Sequence, residues 1–294
     1  MRKISVFFLF LMLLPGTTFA APPLKIIASF SILGDLARQI GGSHVLVTSL
    51  VGPDGDAHSF EPRPGDAALL AGADLVIING LKFEEWMERL VAASGYKGRI
   101  LVASDGISNS LGMEEAGRTI ADPHAWQDIG NARLYAHNIA SALATLDPGN
   151  KEDYQQNAAR LDKELAEIDQ WIKAQIASIP AEKRLVISSH DAFGYFARAY
   201  GVKFIAPVGL STEEEPSAKT LKHITEQIRQ ASAHTLFWEN MSDPKLIRQL
   251  ATEAGAKIGA QLYADALSEP NGPAGTYQAM MKYNVGELVK AMRQ

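Results

Sequence analysis

The sequence predicts an α/β protein with two lobes, each built on a parallel β-sheet, and one long α-helix between them. Three observations support this fold class. Short apolar segments alternate with amphipathic ones in the first half of the chain, the same alternation returns in the second half, and one uninterrupted amphipathic segment separates the halves. Strands that alternate with helices form βαβ units, in which helices cover both faces of a parallel sheet.

The predicted elements divide the mature chain into two Rossmann-like lobes, residues 21–148 and 181–294. In the first lobe, strands are expected at 24–30, 45–51, 75–79 and 99–103, and helices at 32–41, 66–73 and 83–94. In the second lobe, strands are expected at 185–189, 202–207, 235–238 and 257–262, and helices at 192–200, 217–231, 244–254 and 275–293. Pro244 directly follows Asp243, which is typical of a helix start.

The connecting segment, residues 149–180, is predicted to be one helix over 151–178. Its apolar residues recur every three or four positions and so form a single stripe: Tyr154, Ala158, Leu161, Leu165, Ile168, Ile172 and Ile176. At about 1.5 Å per residue the helix is a rod on the order of 40 Å long. Such a connector is expected to allow less lobe movement than flexible crossover strands.

The first twenty residues are predicted to be an export signal that is cleaved after Ala20. Arg2 and Lys3 precede a short apolar run, and Thr18 and Ala20 supply the small residues of a cleavage site. An uncleaved membrane anchor is the alternative, but the run is short for a bilayer span and ends at Pro15. We therefore expect a periplasmic protein that does not insert into the membrane after signal cleavage.

Composition excludes several other classes. The chain has no cysteine, so neither disulfides, thiolate ligands nor a lipid-bearing cysteine can form. Removal of the signal takes the formal net charge from −5 to −7, which does not favour nucleic-acid binding.

Three histidines and one aspartate each follow a predicted strand: His58, His124, His190 and Asp265. Ligands of open α/β sheets bind beyond the carboxyl ends of the strands, so two such residues per lobe predict a metal site in the cleft between the lobes. Three imidazoles and a carboxylate complete a four-ligand shell for Zn²⁺. Taken singly, each of the four also has an ordinary structural interpretation, and only the joint pattern indicates a site.

The remaining polar residues are assigned more modest roles. Four histidines are expected to be structural or solvated, namely His44, His137, His223 and His234. Five acids are candidates to orient the imidazoles, although the sequence does not assign them: Asp56, Glu61, Asp122, Asp128 and Asp191.

Four phrases give the mature chain a family resemblance. They are Gly-Asp-Ala-His-Ser-Phe-Glu-Pro at 55–62, Asp-Pro-His-Ala-Trp at 122–126, Ser-His-Asp-Ala-Phe-Gly-Tyr-Phe at 189–196 and Tyr-Ala-Asp-Ala-Leu-Ser at 263–268. The chain resembles the periplasmic zinc- and manganese-binding receptors of metal ABC importers, the ZnuA and TroA type. The resemblance implies that His58, His124, His190 and Asp265 coordinate the transported ion. It also implies a long inter-lobe helix.

The resemblance implies partners as well. The protein is expected to be a monomer that delivers its ion to a membrane permease driven by an ATPase, with a periplasmic metallochaperone as a further candidate partner. Manganese receptors of this family typically carry glutamate at the third ligand position, where this chain has His190. The expected cargo is therefore Zn²⁺, with Mn²⁺ or iron as the alternative. The long His-rich loop of many zinc receptors has no counterpart in residues 110–121.

Two other classes compete with a metal receptor. A periplasmic zinc hydrolase would need an open coordination position and an acid as general base, but no His-Glu-x-x-His motif is present. A metal-independent binder of an organic solute would use the histidines only to line a cleft. We expect the chain to bind and deliver rather than to catalyse.

Overall fold

The computed structural model of the chain describes residues 22–115, 118–213, 216–230 and 235–294. The predicted export signal with its cleavage after Ala20 lies outside these residues, as does His234. None of the helices within the described ranges is long and apolar enough to span a membrane.

The first lobe is built on a four-stranded parallel sheet with the order β2-β1-β3-β4. Its strands are β1 (Leu24–Phe30), β2 (Val45–Val51), β3 (Leu75–Ile78) and β4 (Arg99–Val102), and the helices between them are α1 (Ser31–Gly41), α2 (Pro64–Ala71) and α3 (Trp86–Ser94). The central strand β1 pairs through Ile26 with both Val47 and Leu75. Both neighbours and the covering helices bury it from Ile26 to Phe30, and all of these residues except Ser29 are apolar.

An antiparallel hairpin extends the first lobe before the helix α4 (Ile129–Leu146). It consists of β5 (Gly112–Glu115) and β6 (Arg118–Ala121). The sequence did not predict it, because its short strands carry glycine and several charges and show no run of apolar residues. The hairpin returns the chain to the carboxyl end of the sheet, where Asp122 and His124 follow.

The second lobe repeats the strand order of the first. Its strands are β7 (Leu185–Ile187), β8 (Lys203–Ile205), β9 (Thr235–Glu239) and β10 (Lys257–Leu262), all parallel, in the order β10-β9-β7-β8. In each lobe the first strand therefore lies between the second and the third. The helices are α6 (Gly194–Tyr200), α7 (Ala218–Gln230), α8 (Lys245–Ala254) and α9 (Tyr277–Met292).

Predicted and observed elements agree in type, and their ends differ by a few residues, as is usual for helix and strand boundaries. The largest shift is at α3, which begins at Trp86 rather than at residue 83. Residues 80–82 form a turn with positive φ, closed by a hydrogen bond from the Phe83 N–H to the Gly80 carbonyl, and residues 83–85 are not yet helical.

The helix α5 (Lys151–Ala177) confirms the predicted long helix. Six residues of the predicted stripe are buried and Ala158 is partly buried. The helix packs on α1 and α4 of the first lobe and on α6 and α9 after it. One apolar cluster runs from the first sheet through α5 and α9 to Phe237 of the second sheet, so both lobes share a core.

The shared core limits how far the lobes can separate. We expect the metal-free and metal-loaded proteins to give closely similar small-angle X-ray scattering profiles, because α5 and the shared core persist in both. The matched control is the His58→Ala/His190→Ala double variant with the same metal added. A change in radius of gyration that accompanies loading of the wild type and is missing in the variant would contradict a rigid connector.

Candidate metal centre

The four residues singled out in the sequence lie together at one place. His58 is in the loop after β2, His124 follows the hairpin that comes after β4, and His190 and Asp265 lie just beyond β7 and β10. Each offers one potential ligand atom, and these atoms all lie within 4.8 Å of one another. The loops beyond the carboxyl ends of the strands of both lobes therefore converge, as the sequence predicted.

The spacing of the ligand atoms fits one small cation. The Nε2 atom of His124 lies 3.3 Å from Nε2 of His58 and 3.3 Å from Nε2 of His190. Oxygens of Asp265 lie 3.1 to 3.6 Å from the three Nε2 atoms. Tetrahedral bonds of about 2.0–2.1 Å separate ligand atoms by about 3.3–3.4 Å. The cluster therefore has the dimensions of a first coordination shell.

The carboxylate of Asp265 is the least usual group of the cluster. It is completely buried, and neither oxygen has a hydrogen-bond partner among the described residues. A buried carboxylate with unpaired oxygens is costly unless a positive charge faces it. Burial raises the pKa of Asp265, but the neighbouring His124 and His190 imidazoles outweigh it and hold that pKa well below its usual range. The carboxylate thus stays ionised and points both oxygens at the histidines.

Two of the imidazoles are held by carboxylates on their other ring nitrogen. Nδ1 of His124 lies 2.8 Å from Oδ1 of Asp122, which also accepts the backbone N–H of His124 at 2.9 Å. Nδ1 of His190 contacts Oε2 of Glu239, whose other oxygen accepts the backbone N–H groups of Ser189 and His190. This arrangement leaves each Nε2 directed at the cluster and makes it a stronger donor to a metal.

The same carboxylates shift the acidity of the metal-free histidines. Burial by itself lowers the pKa of His124, but the Asp265 and Asp122 carboxylates outweigh burial and raise the pKa to about 9. For His190 burial again lowers the pKa, and Glu239 and Asp265 raise it well above its usual value. A cation that binds here therefore competes with protons in neutral solution.

Among the five acids considered from the sequence as orienting groups, only Asp122 contacts an imidazole ring within the described ranges. Asp128 accepts the backbone N–H of Gly130 at the start of α4, and Asp56 accepts that of His58. Glu239 was missed. It directly follows the predicted strand 235–238 and is the last residue of the observed β9, which pairs with the strand before His190. A polar residue directly after a predicted strand was a usable signal.

The third imidazole, His58, is held differently. Its ring packs edge-on against Phe83, with the centroids 4.7 Å apart. The backbone before it is fixed by the indole N–H of Trp86, which donates to the carbonyl of Ala57 at 2.8 Å. The His58 side chain is 6% exposed, compared with 2% for His190 and 0% for His124. His58 is therefore the member of the cluster nearest to solvent.

A buried polar network supports the His124 loop from behind. The Asn79 side chain donates to the carbonyl of Pro123 at 2.9 Å and accepts from the hydroxyl of Tyr135 at 2.6 Å. The backbone N–H of Asn79 in turn donates to Glu84, a buried carboxylate that also accepts from Ser29. Burial raises the pKa of Glu84 to about 7. The network ties the start of the His124 loop to strands β1 and β3.

Three of the four histidines predicted to be structural or solvated lie in the described ranges, and all three are away from the metal cluster. His44 pairs with Asp153 on the surface at 2.7 Å, and His137 and His223 are exposed on α4 and α7.

Two α/β lobes on one long helix, with a cluster of four metal-ligand side chains between them, define a metal-binding receptor of the solute-binding class. The chain matches the family model described as "ZnuA: Zinc-uptake complex component A periplasmic" over residues 26–291. It belongs to this family, and the resemblance seen in the sequence is confirmed.

Curated relatives cover almost the whole chain. It is 32% identical to the manganese ABC transporter substrate-binding lipoprotein PsaA of Streptococcus pneumoniae over 283 residues, which is 94% of this chain and 91% of the relative. It is 31% identical to the iron-binding protein YfeA of Yersinia pestis over 274 residues, 93% of this chain and 88% of the relative. The protein is thus a substrate-binding component of a metal ABC transporter.

Solved structures agree on the fold. The periplasmic zinc-binding protein TroA of Treponema pallidum superposes with a TM-score of 0.87 at 28% identity, covering 92% of this chain and 99% of TroA. The manganese-bound periplasmic metal-binding protein of Candidatus Liberibacter asiaticus gives a TM-score of 0.82 at 31% identity, with 92% and 99% covered. The predicted two-lobed α/β fold is confirmed.

Metal affinity should depend on pH above neutrality. Because His124 and His190 must lose their protons to bind a cation, affinity should rise with pH from about 6.5 to about 9, the raised pKa of His124. Chelator competition across this range measures the slope, and calorimetry in buffers of different ionisation enthalpy counts the protons released. An affinity that stays constant between pH 7 and 9 would contradict the raised values.

The two orienting carboxylates should matter about equally for binding. We expect Asp122→Asn and Glu239→Gln each to weaken metal binding roughly 10- to 100-fold, because the amide neither orients nor polarises the imidazole as the carboxylate does. Isothermal titration checks this. Asp128→Asn is the matched control, since Asp128 lies near His124 in sequence but only caps α4. Equal affinities for all three variants would show that the contacts are structural only.

Proposed function

We propose that this chain is the exported receptor of an ABC importer and that it captures one Mn²⁺ ion with His58, His124, His190 and Asp265. The observation that carries the proposal is the convergence of these four side chains, from both lobes, on one point. The shell can close around an ion without leaving a position for a reacting water, which suits capture and delivery rather than hydrolysis.

Manganese is the first candidate for two reasons: several relatives are named for manganese binding, and Asp265 can offer two oxygens to the ion. The chain is 32% identical to proteins named for manganese binding. Both oxygens of Asp265 face the imidazoles and have no other partner in the described part of the chain, so the carboxylate can bind through two oxygens and raise the coordination number to five. Manganese favours carboxylate oxygen and high coordination numbers more than zinc does.

Zinc is the second candidate, and it was the first choice from the sequence. Three imidazoles and spacings near 3.3 Å suit tetrahedral zinc, and the structural relative TroA is named as a zinc-binding protein. His190 alone does not decide the cargo, however. Nitrogen and oxygen sites generally bind Zn²⁺ more tightly than Mn²⁺, so the ion that is transported also depends on geometry and on metal availability.

The proposed location and partners follow from the same comparison. The relative PsaA is named a lipoprotein, but this chain contains no cysteine that could carry a lipid. We therefore expect the cleaved protein to be free in the periplasm and to dock as a monomer on the importer's permease, which is coupled to an ATPase.

Binding and transport together test the proposal. The purified apoprotein should bind Mn²⁺ and Zn²⁺ one to one and gain melting temperature from either, since binding to the folded state stabilises it. His58→Ala/His190→Ala should lose both effects, and His44→Ala/His137→Ala should keep them. In the host bacterium, loss of the protein should lower cellular manganese, measured by mass spectrometry. A fall in zinc alone would assign the cargo to zinc, and a wild-type apoprotein that binds neither ion would refute the proposal.

A further inference from the structure

The loop that carries His58 belongs to the first lobe and contacts the second lobe at the most exposed side of the metal cluster. His124, His190 and Asp265 are enclosed by protein, whereas His58 retains some contact with solvent. His58 therefore marks the side of the cluster that lies nearest to solvent. A change in the position of this loop is expected to affect how easily an ion escapes.

One carboxylate in this loop contacts both lobes at once. Oδ1 of Asp56 accepts the backbone N–H of His58 at 2.9 Å. Oδ2 of the same carboxylate accepts the hydroxyl of Thr212 at 2.7 Å. Thr212 belongs to the second lobe, in the segment that follows β8. The position of His58 is thus linked through a single side chain to the opposite lobe.

Two further hydrogen bonds hold the same loop against the second lobe. The backbone N–H of Asp54 donates to the carbonyl of Leu267 at 2.9 Å, and the side-chain amide of Asn240 donates to the Asp54 carboxylate at 2.8 Å. Asn240 directly follows Glu239, the carboxylate that orients His190. These bonds dock the loop, but neither involves the residue that holds the His58 backbone.

We propose that Asp56 and Thr212 form an inter-lobe latch that slows release of the bound ion by keeping His58 in place. The inference rests on the proposed function, because it requires an ion in the cluster. Both are positioning residues: neither contacts the ion, and Asp56 acts through the backbone of His58. A small local opening at this edge, of the size that the shared core allows, breaks the Thr212 contact and removes one attachment of the His58 loop.

If Asp56 and Thr212 form a latch, its removal should change the rate at which the ion dissociates and leave the association rate unchanged. Thr212→Val keeps the shape of the side chain and removes the hydroxyl. A hydrogen bond to a charged acceptor at a half-exposed site corresponds to roughly a ten-fold change in rate. We expect Thr212→Val to release Mn²⁺ about ten-fold faster, with an unchanged association rate, and Thr212→Ser to behave like the wild type.

The test is stopped-flow mixing of Mn²⁺-loaded protein with excess chelator, repeated with Zn²⁺. Thr252→Val is the matched control, because Thr252 donates to the carbonyl of Arg248 on α8, away from the cluster. In an Asp56→Ala background, Thr212→Val should have no further effect on release. Circular dichroism and melting temperature check that each variant is folded.

The outcomes separate the two proposals. If the wild type binds neither ion, the proposed function fails and the latch fails with it. If the wild type binds but Thr212→Val releases the ion at the wild-type rate, the latch alone is wrong. An equal acceleration by Thr212→Val in the Asp56→Ala background would also overturn it, since the hydroxyl would then act through another group.

Discussion

The structure depends most on the buried carboxylate of Asp265. Neither of its oxygens has a hydrogen-bond partner among the described residues, and three imidazole nitrogens lie 3.1 to 3.6 Å from it. A negative charge in such a place needs a positive charge nearby. Protons on the histidines supply it in the metal-free protein, and a divalent cation can supply it in the loaded one. Protonation of the histidines and metal capture are therefore alternative ways of balancing one buried negative charge.

The ligand cluster is not uniform in rigidity. His124 and His190 are fixed by the carboxylates of Asp122 and Glu239, each of which also holds backbone N–H groups of the same loop. His58 has an aromatic neighbour and a loop whose attachments cross to the other lobe. Two imidazoles held by carboxylates and one at the edge of the cluster suit a protein that binds an ion and later gives it up.

The type of the ligands does not by itself identify the metal that the protein transports. Three imidazoles indicated zinc, whereas curated relatives across almost the full chain are named for manganese or iron. The chemistry of the ligands sets the relative affinities for different metals. Most sites built from nitrogen and oxygen ligands bind Zn²⁺ more tightly than Mn²⁺. The transported ion depends in addition on coordination number and on which metal is present, so the same four side chains can serve in receptors for different ions.

The sequence by itself determined the two lobes, the long helix and the four residues of the cluster. Those features depend on local patterns: apolar runs, a stripe with a period near 3.6, and polar residues after strands. Only the tertiary structure decided that Glu239 holds His190 and that Asp56 meets Thr212. Glu239 reaches His190 because β9 pairs with β7, and strand order is a global choice among alternatives that no local pattern records. The contact between Asp56 and Thr212 joins residues 156 positions apart and depends on how the two lobes face each other.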